Sequence, residues 1–126
     1  MFGEKEFIGE SIEKLNKNGS IKLPEYSCSN NLDKIYFLAL KNEIRLYSEE
    51  EIIRVSNILF DNLEKKLDKN KFRKIKRMYY GLLLSSEVVK NNKLSIPKKL
   101  IKKYSLENKV ILEGSKNHIK LKKHNG

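Results

Sequence analysis

Apolar and polar residues alternate in two short stretches that repeat each other. Leu15-Asn16-Lys17-Asn18-Gly19-Ser20-Ile21-Lys22-Leu23-Pro24 is echoed, without a gap, by Val88-Val89-Lys90-Asn91-Asn92-Lys93-Leu94-Ser95-Ile96-Pro97. In each copy a polar tetrad rich in Asn and Gly separates apolar residues, and an apolar-polar alternation then runs up to a proline. The pattern predicts strand, turn, strand, with Asn and Gly supplying the positive φ angles of a tight reversal. After Pro97, Leu100, Ile101 and Tyr104 fall on one helical face and Lys98, Lys99, Lys102 and Lys103 on the other, which predicts a short amphipathic helix. Lys109–Glu113 and His118–Leu121, joined through Gly114–Asn117, then form a hairpin. The first copy offers the same order, with Ile35–Leu40 and Glu43–Tyr47 as its hairpin around Lys41-Asn42. Its helical slot, Glu25–Asn31, holds poor helix formers and reads as a turn or one frayed helical turn.

Between the copies the period changes from two to three and four. Ser48-Glu49-Glu50-Glu51 is a capping box, and Ile52, Val55, Leu59, Leu63 and Leu67, widened by Ile53 and Phe60, form the buried stripe of a helix that ends at Asp68-Lys69-Asn70. Phe72, Ile75, Tyr79 and Leu82/Leu83 mark a second helix, with Lys71, Arg73, Lys74, Lys76 and Arg77 on its other faces. The expected organisation is a first repeat over 1–47, a helical insert over 48–83 and a second repeat over 84–126, all in one α+β domain.

Length supports that reading, because 126 residues fit one domain and exclude a large multidomain enzyme. The formal charge of +11 favours polyanionic partners. Lysines outnumber arginines 23 to 4, and Asn and Ile each occur 13 times, a bias that AT-rich coding also produces, so the position of charge says more than its sum. Residues 1–51 hold 7 basic and 10 acidic groups and residues 52–126 hold 20 and 6, giving −3 against +14. A lone Cys28 cannot form an internal disulfide, and Met1–Glu6 lacks the basic leader and apolar run of a signal peptide. No stretch approaches the length of a membrane span, the longest apolar candidate being broken at Gly81. The expected location is cytoplasmic.

Catalysis has little to stand on. The histidines are His118 and His124 alone, no Cys/His group has metal-ligand spacing, and Gly19 is isolated rather than part of a phosphate-binding glycine run. A non-enzymatic protein with no cofactor, metal or small-molecule substrate is expected.

The order of elements, the opening Met1-Phe2-Gly3-Glu4 and the paired loops ending in Pro24 and Pro97 resemble the MraZ family of bacterial transcription regulators, within the AbrB-like (SpoVT-AbrB) swapped-hairpin group. Arg73, Arg77 and Met78-Tyr79-Tyr80 are similar to the family's Arg-x-x-x-Arg followed by three aromatics, and the spacing from Arg77 to the second loop is kept. The family's loop motif, Asp-x-x-Gly-Arg, is altered: its Asp, Gly and Arg positions hold Asn16, Gly19 and Ser20 in the first copy and Val89, Asn92 and Lys93 in the second. Lysine offers a point charge where arginine offers a bidentate fork, so base specificity is expected to differ or to weaken.

The resemblance implies a fold of two AbrB-like strand-turn-strand-helix-hairpin repeats around one barrel-like core. It further implies a homo-oligomer, in the family a ring, that binds tandem repeats in double-stranded DNA on the nucleoid and represses a division and cell-wall gene cluster. The candidate DNA-binding residues are Lys17, Asn18, Ser20, Lys90, Asn91 and Lys93: lysines to hold phosphates, Asn18 and Asn91 to reach adenine edges, although turn amides more often bond their own backbone. Arg73 and Arg77 are candidates for an oligomer interface or a secondary basic surface. A second reading is an oligomeric interaction scaffold that keeps the fold and has lost specific DNA binding along with the loop arginines.

Overall fold

The computed structural model describes residues 7–23 and 34–124. Eight strands form one antiparallel sheet: β1 (Phe7–Lys14), β2 (Ser20–Lys22), β3 (Lys34–Ala39), β4 (Ile44–Tyr47), β5 (Leu84–Lys90), β6 (Lys93–Ser95), β7 (Lys109–Lys116) and β8 (His118–Lys123). Their order is β1-β7-β8-β4-β3-β5-β6-β2, and the sheet curls into a nearly closed barrel. Helices α1 (Glu49–Lys66) and α2 (Lys69–Met78) lie between β4 and β5, and α3 (Lys98–Lys103) between β6 and β7. The fold is thus mixed α+β, as the periodicities predict. The slot expected for a first-repeat helix, with Cys28, lies outside the described residues.

Alternation along each strand decides what fills the barrel. Ile21, Leu23, Phe37, Ile44, Leu46, Leu94, Val110, Leu112, Ile119 and Leu121 all point inward and are buried. Leu100 and Ile101 of α3 and Tyr104 after it close one end, with the Tyr104 hydroxyl donating to the Leu40 carbonyl. A second cluster sits outside the sheet, where Leu38 and Tyr47 meet Ile52, Phe60 and Tyr79. The helical pair therefore covers the outer face of β3 and β4.

Three local expectations are corrected. β1 and β2 do not form a ladder hairpin: β1 pairs along its whole length with β7, from Phe7↔Lys116 to Lys14↔Lys109, and β2 pairs with β6. Only the turn joins them, through Asn16 N–H to the Ser20 carbonyl (2.9 Å) and Gly19 N–H to the Asn16 carbonyl (2.9 Å). Gly114 is a strand residue paired with Gly9, so the β7–β8 reversal tightens to Asn117 with Lys116 at φ 48°. The second helix stops at Met78, and Tyr79–Leu83 forms a single π-helical turn from which β5 departs at Leu84.

α1 starts as the capping box requires, Ser48 Oγ accepting from Glu51 N–H at 3.3 Å. Its buried line, however, runs Ile52–Ser56–Phe60, with Val55 and Leu63 beside it, while Leu59 is 36% and Ile53 53% exposed. The line turns toward Ser56 because that hydroxyl bonds the Tyr79 hydroxyl at 2.6 Å inside the helix–sheet layer. Asp68, expected as a helix end, caps the next helix by accepting from Lys71 N–H at 2.9 Å.

Candidate functional site

The second repeat turn is a two-residue reversal. Val89 pairs with Leu94 and Lys90 with Lys93, so Asn91 and Asn92 occupy the corner at φ 52° and 62°, the conformation a primed hairpin turn demands and Asn tolerates. Across β6, Lys22 stands directly opposite Lys93 and Ile21 opposite Leu94. Two rows result. Ile21, Leu94 and Val89 face the core, and Lys22, Lys93 and Lys90 lie side by side on the exposed outer face. Adjacent strands are about 4.8 Å apart, so three ammonium groups are spread over roughly 10 Å.

Such a row opposes folding, since like charges directly across a ladder repel. Like charges also face each other elsewhere on the barrel, Glu10 opposite Glu113, Lys14 opposite Lys109 and Arg45 opposite Lys120, but there some charges are bridged: Arg45 Nε meets Glu43 at 2.8 Å and Lys122 meets Glu113 at 3.6 Å. The Arg45 hydrogen bond, aided by the nearby Lys120 and Lys122, holds the Glu43 carboxyl below its ordinary range against the effect of burial. Among the described residues no carboxylate bridges Lys22, Lys90 or Lys93.

The first repeat turn is built differently. Ser20 is buried, 6% exposed, and its hydroxyl and N–H both donate to Asn18 Oδ1, at 2.7 and 3.1 Å, while Asn16 Nδ2 donates to Ser20 Oγ at 3.2 Å. The Asn18 carboxamide oxygen is engaged in folding its own turn, so of the three first-copy candidates Lys17 alone is exposed and free of turn bonding. Gly19, at φ +85°, packs against α3: its carbonyl accepts from Ile96 N–H at 2.8 Å, and a Cβ there would stand 3.2 Å from Ile101 Cδ1. The exposed lysines of α3, Lys98, Lys99, Lys102 and Lys103, flank this tip.

Reciprocally, the Asn92 carbonyl accepts from Leu23 N–H at 2.7 Å. The two tips thus stand at opposite ends of the β2–β6 ladder, separated by four residues or roughly 13 Å. Lys90, Asn91 and Lys93 come together at one tip, joined by Lys22, which sequence reasoning missed. The signal for Lys22 is the repeat itself: pairing the two copies antiparallel about Ile21 and Leu94 sets Lys22 beside Lys93. Arg73 and Arg77 are exposed on α2, apart from both tips.

Two other places bear on chemistry. An open groove of about 350 Å³ runs between α1 and β3, with Ile53, Asn57 and Tyr80 on its walls and Tyr36 Oη donating to Glu49 at 3.2 Å. His118 is buried against Tyr47, ring centroids 5.3 Å apart, with Nδ1 bonded to Asn117 Oδ1 at 2.8 Å and Nε2 without a partner among the described residues. Burial, with Arg45 and Lys120 nearby, pushes its pKa down to about 4, so the ring is neutral at pH 7. Among the described residues no group of three or more His, Cys, Asp or Glu is placed to hold a metal ion, and no helix is long and apolar enough to cross a membrane. No protein-family model matches the chain, and no curated protein matches it.

Proposed function

We propose that the protein is a DNA-binding transcriptional regulator of the MraZ type, an oligomer that presents its repeat tips to double-stranded DNA. The carrying observation is the exposed row Lys22, Lys93 and Lys90, a cationic ladder beside a hairpin tip that no carboxylate among the described residues bridges. Lysine ammonium groups in such a row suit a phosphate backbone as point charges, and repeating the subunit multiplies modest contacts into avidity. Lys17 and the α3 lysines add a second set about 13 Å away.

The duplicated, AbrB-like architecture is part of the same reading. Exchanging β1–β4 for β5–β8 carries the interstrand ladders β1–β7, β3–β4, β2–β6 and β4–β8 onto β5–β3, β7–β8 and themselves. The reciprocal bonds Leu23 N–H to Asn92 and Ile96 N–H to Gly19 join positions that the sequence repeat equates. Oligomerisation is supported by apolar side chains left outside: Ile53, Ile58, Met78 and Tyr80 are each 45–53% exposed on or beside the helical pair. A division and cell-wall operator, with repression as the outcome, completes the proposal.

Binding of the full chain to DNA upstream of its own gene and to scrambled DNA, at two salt concentrations, tests it. Specific retention that weakens with salt is expected, together with light scattering above the monomer mass. A Lys90→Ala/Lys93→Ala variant that binds as tightly as the parent would overturn the choice of surface. Absence of binding even at low salt would favour the interaction scaffold.

A further inference from the structure

Helix α2 carries a second basic surface that the tip reading does not use. Six of its ten residues are cations, Lys69, Lys71, Arg73, Lys74, Lys76 and Arg77, all exposed, and it contains no acid. Lys69, Arg73 and Arg77 recur at steps of four and share one outward stripe, with Lys74 beside it. The opposite face is already occupied: Phe72 meets Phe60 edge-on at 6.1 Å, and the Lys76 ammonium lies 5.5 and 5.8 Å from the centres of those two rings. The helix therefore has no apolar face left to lay on lipid, and charge is what it offers outward.

That charge works in part against the helix. Like charges four residues apart repel, and Lys69 and Lys71 in the first turn oppose the helix dipole, whereas Asp68 at the N-cap and Lys76 and Arg77 in the last turn complement it. The arginines are the sharper sign. Of the four in the chain, Arg45 is bonded to Glu43 and Arg54 to Glu51, whereas Arg73 and Arg77 have no carboxylate partner among the described residues. Their guanidinium forks match phosphate bidentately, and at a rise of about 6 Å both can grip one nucleic-acid strand.

Position separates this surface from the tips. Leu84 N–H donates to the Tyr79 carbonyl, which sets the end of α2 at the start of β5, while Lys90 ends that strand, on the order of 20 Å away. The helical pair lies over β3 and β4, and the lysine row is centred on β6, two strands further round from β3. The row and the helix are therefore two separate basic patches rather than one.

We propose that the α2 stripe is a second phosphate-binding surface, which holds the backbone of a separate stretch of duplex DNA without regard to sequence, so that the protein bridges two segments. The bridging rests on the tip reading; the phosphate binding of α2 does not. Three full-length proteins are compared: the parent, Lys69→Ser/Arg73→Ser/Arg77→Ser, and Lys22→Ser/Lys90→Ser/Lys93→Ser. The measurements are affinity for one scrambled duplex over a salt series, capture of a labelled duplex by protein held on a bead-tethered duplex, and particle size by light scattering.

The helix variant is expected to keep its particle size and tip binding and to lose capture of the second duplex about tenfold or more, with salt slopes shallower by about 0.9 for each phosphate contact removed. The tip variant is expected to retain weak, salt-sensitive binding through α2. Arg73→Lys/Arg77→Lys, which keeps the charge on an unaltered helix, is expected to restore part of the capture. Undiminished capture by the helix variant, a parent that captures no second duplex, polyglutamate displacing DNA as well as duplex does, or a changed particle size in the helix variant would each overturn the proposal. Full duplex binding by the tip variant and none by the helix variant would instead remove the tip reading and leave the α2 surface standing.

Discussion

Gly19 is the residue on which the first tip turns. Its φ of +85° lies where a side chain is strained, and the space a Cβ would take is bounded by Ile101 Cδ1 at 3.2 Å. Gly19→Ala is expected to destabilise the fold by about 1–2 kcal/mol, read as a lower thermal midpoint. Asn92, the equivalent position in the second copy, reaches the same region as an asparagine at φ 62°, which explains how that glycine is dispensable there. His118 gives a residue-scale dependence on pH. Its folded pKa of about 4 lies below the ordinary 6.5, so below pH 6.5 the unfolded chain gains a proton that the buried ring refuses. Stability present above pH 6.5 is therefore lost as the pH falls toward 4, by at most about 1.4 kcal/mol per pH unit. Thermal melts between pH 7 and 5 should show the decline, and His118→Gln should flatten it; an unchanged slope in the variant would assign the decline to other groups.

At the scale of elements, the Ser56–Tyr79 pair ties α1 to the π-turn. Burial raises the Tyr79 hydroxyl above its ordinary pKa, with the Ser56 hydrogen bond opposing, so the group is a neutral donor or acceptor throughout the useful pH range. Tyr79→Phe leaves a buried serine hydroxyl alone and is expected to cost about 1–2 kcal/mol, and adding Ser56→Ala should return part of it. Additive losses in that double-mutant cycle would mean that the two hydroxyls act separately. The same pair shows why the helix was readable and its orientation was not. Hydrophobic periodicity located α1 and its capping box at Ser48, but it places the stripe through Leu59, since a serine carries no apolar signal even where a hydrogen bond makes it the inward residue. The repeat at Leu15–Pro24 and Val88–Pro97 was legible for the opposite reason, because turn chemistry at Asn and Gly is local. β1 and its pairing with β7 were not, since Phe7–Lys14 finds its partner a hundred residues away. Among the candidate contacts, the lysines of the second tip could be found from alternation. The consumption of Ser20 and Asn18 by their own turn, and the arrival of Lys22, depend on which strands meet.

For the whole molecule, the question is whether the lysine row is an accident of a lysine-rich chain or a surface kept for a ligand, and stability separates the two. Lys93 is the middle member, opposite Lys22 on one side and Lys90 on the other, so it bears two of the repulsions. Each like-charged cross-strand pair costs roughly 0.2–1 kcal/mol, and screening shrinks that cost at high salt. Replacing Lys93 by threonine, a good strand former, is expected to raise stability by about 0.5–1 kcal/mol at low ionic strength, with the gain fading as salt is added. The same change should weaken DNA binding and reduce the magnitude of its salt slope by about 0.9 per subunit. A variant that is both more stable and poorer at binding identifies a row maintained against the interest of the fold, the relation expected of a functional surface. A variant that gains stability and loses no affinity would make the row a by-product of composition, and one that loses stability would show that the three ammonium groups do not repel as their register requires.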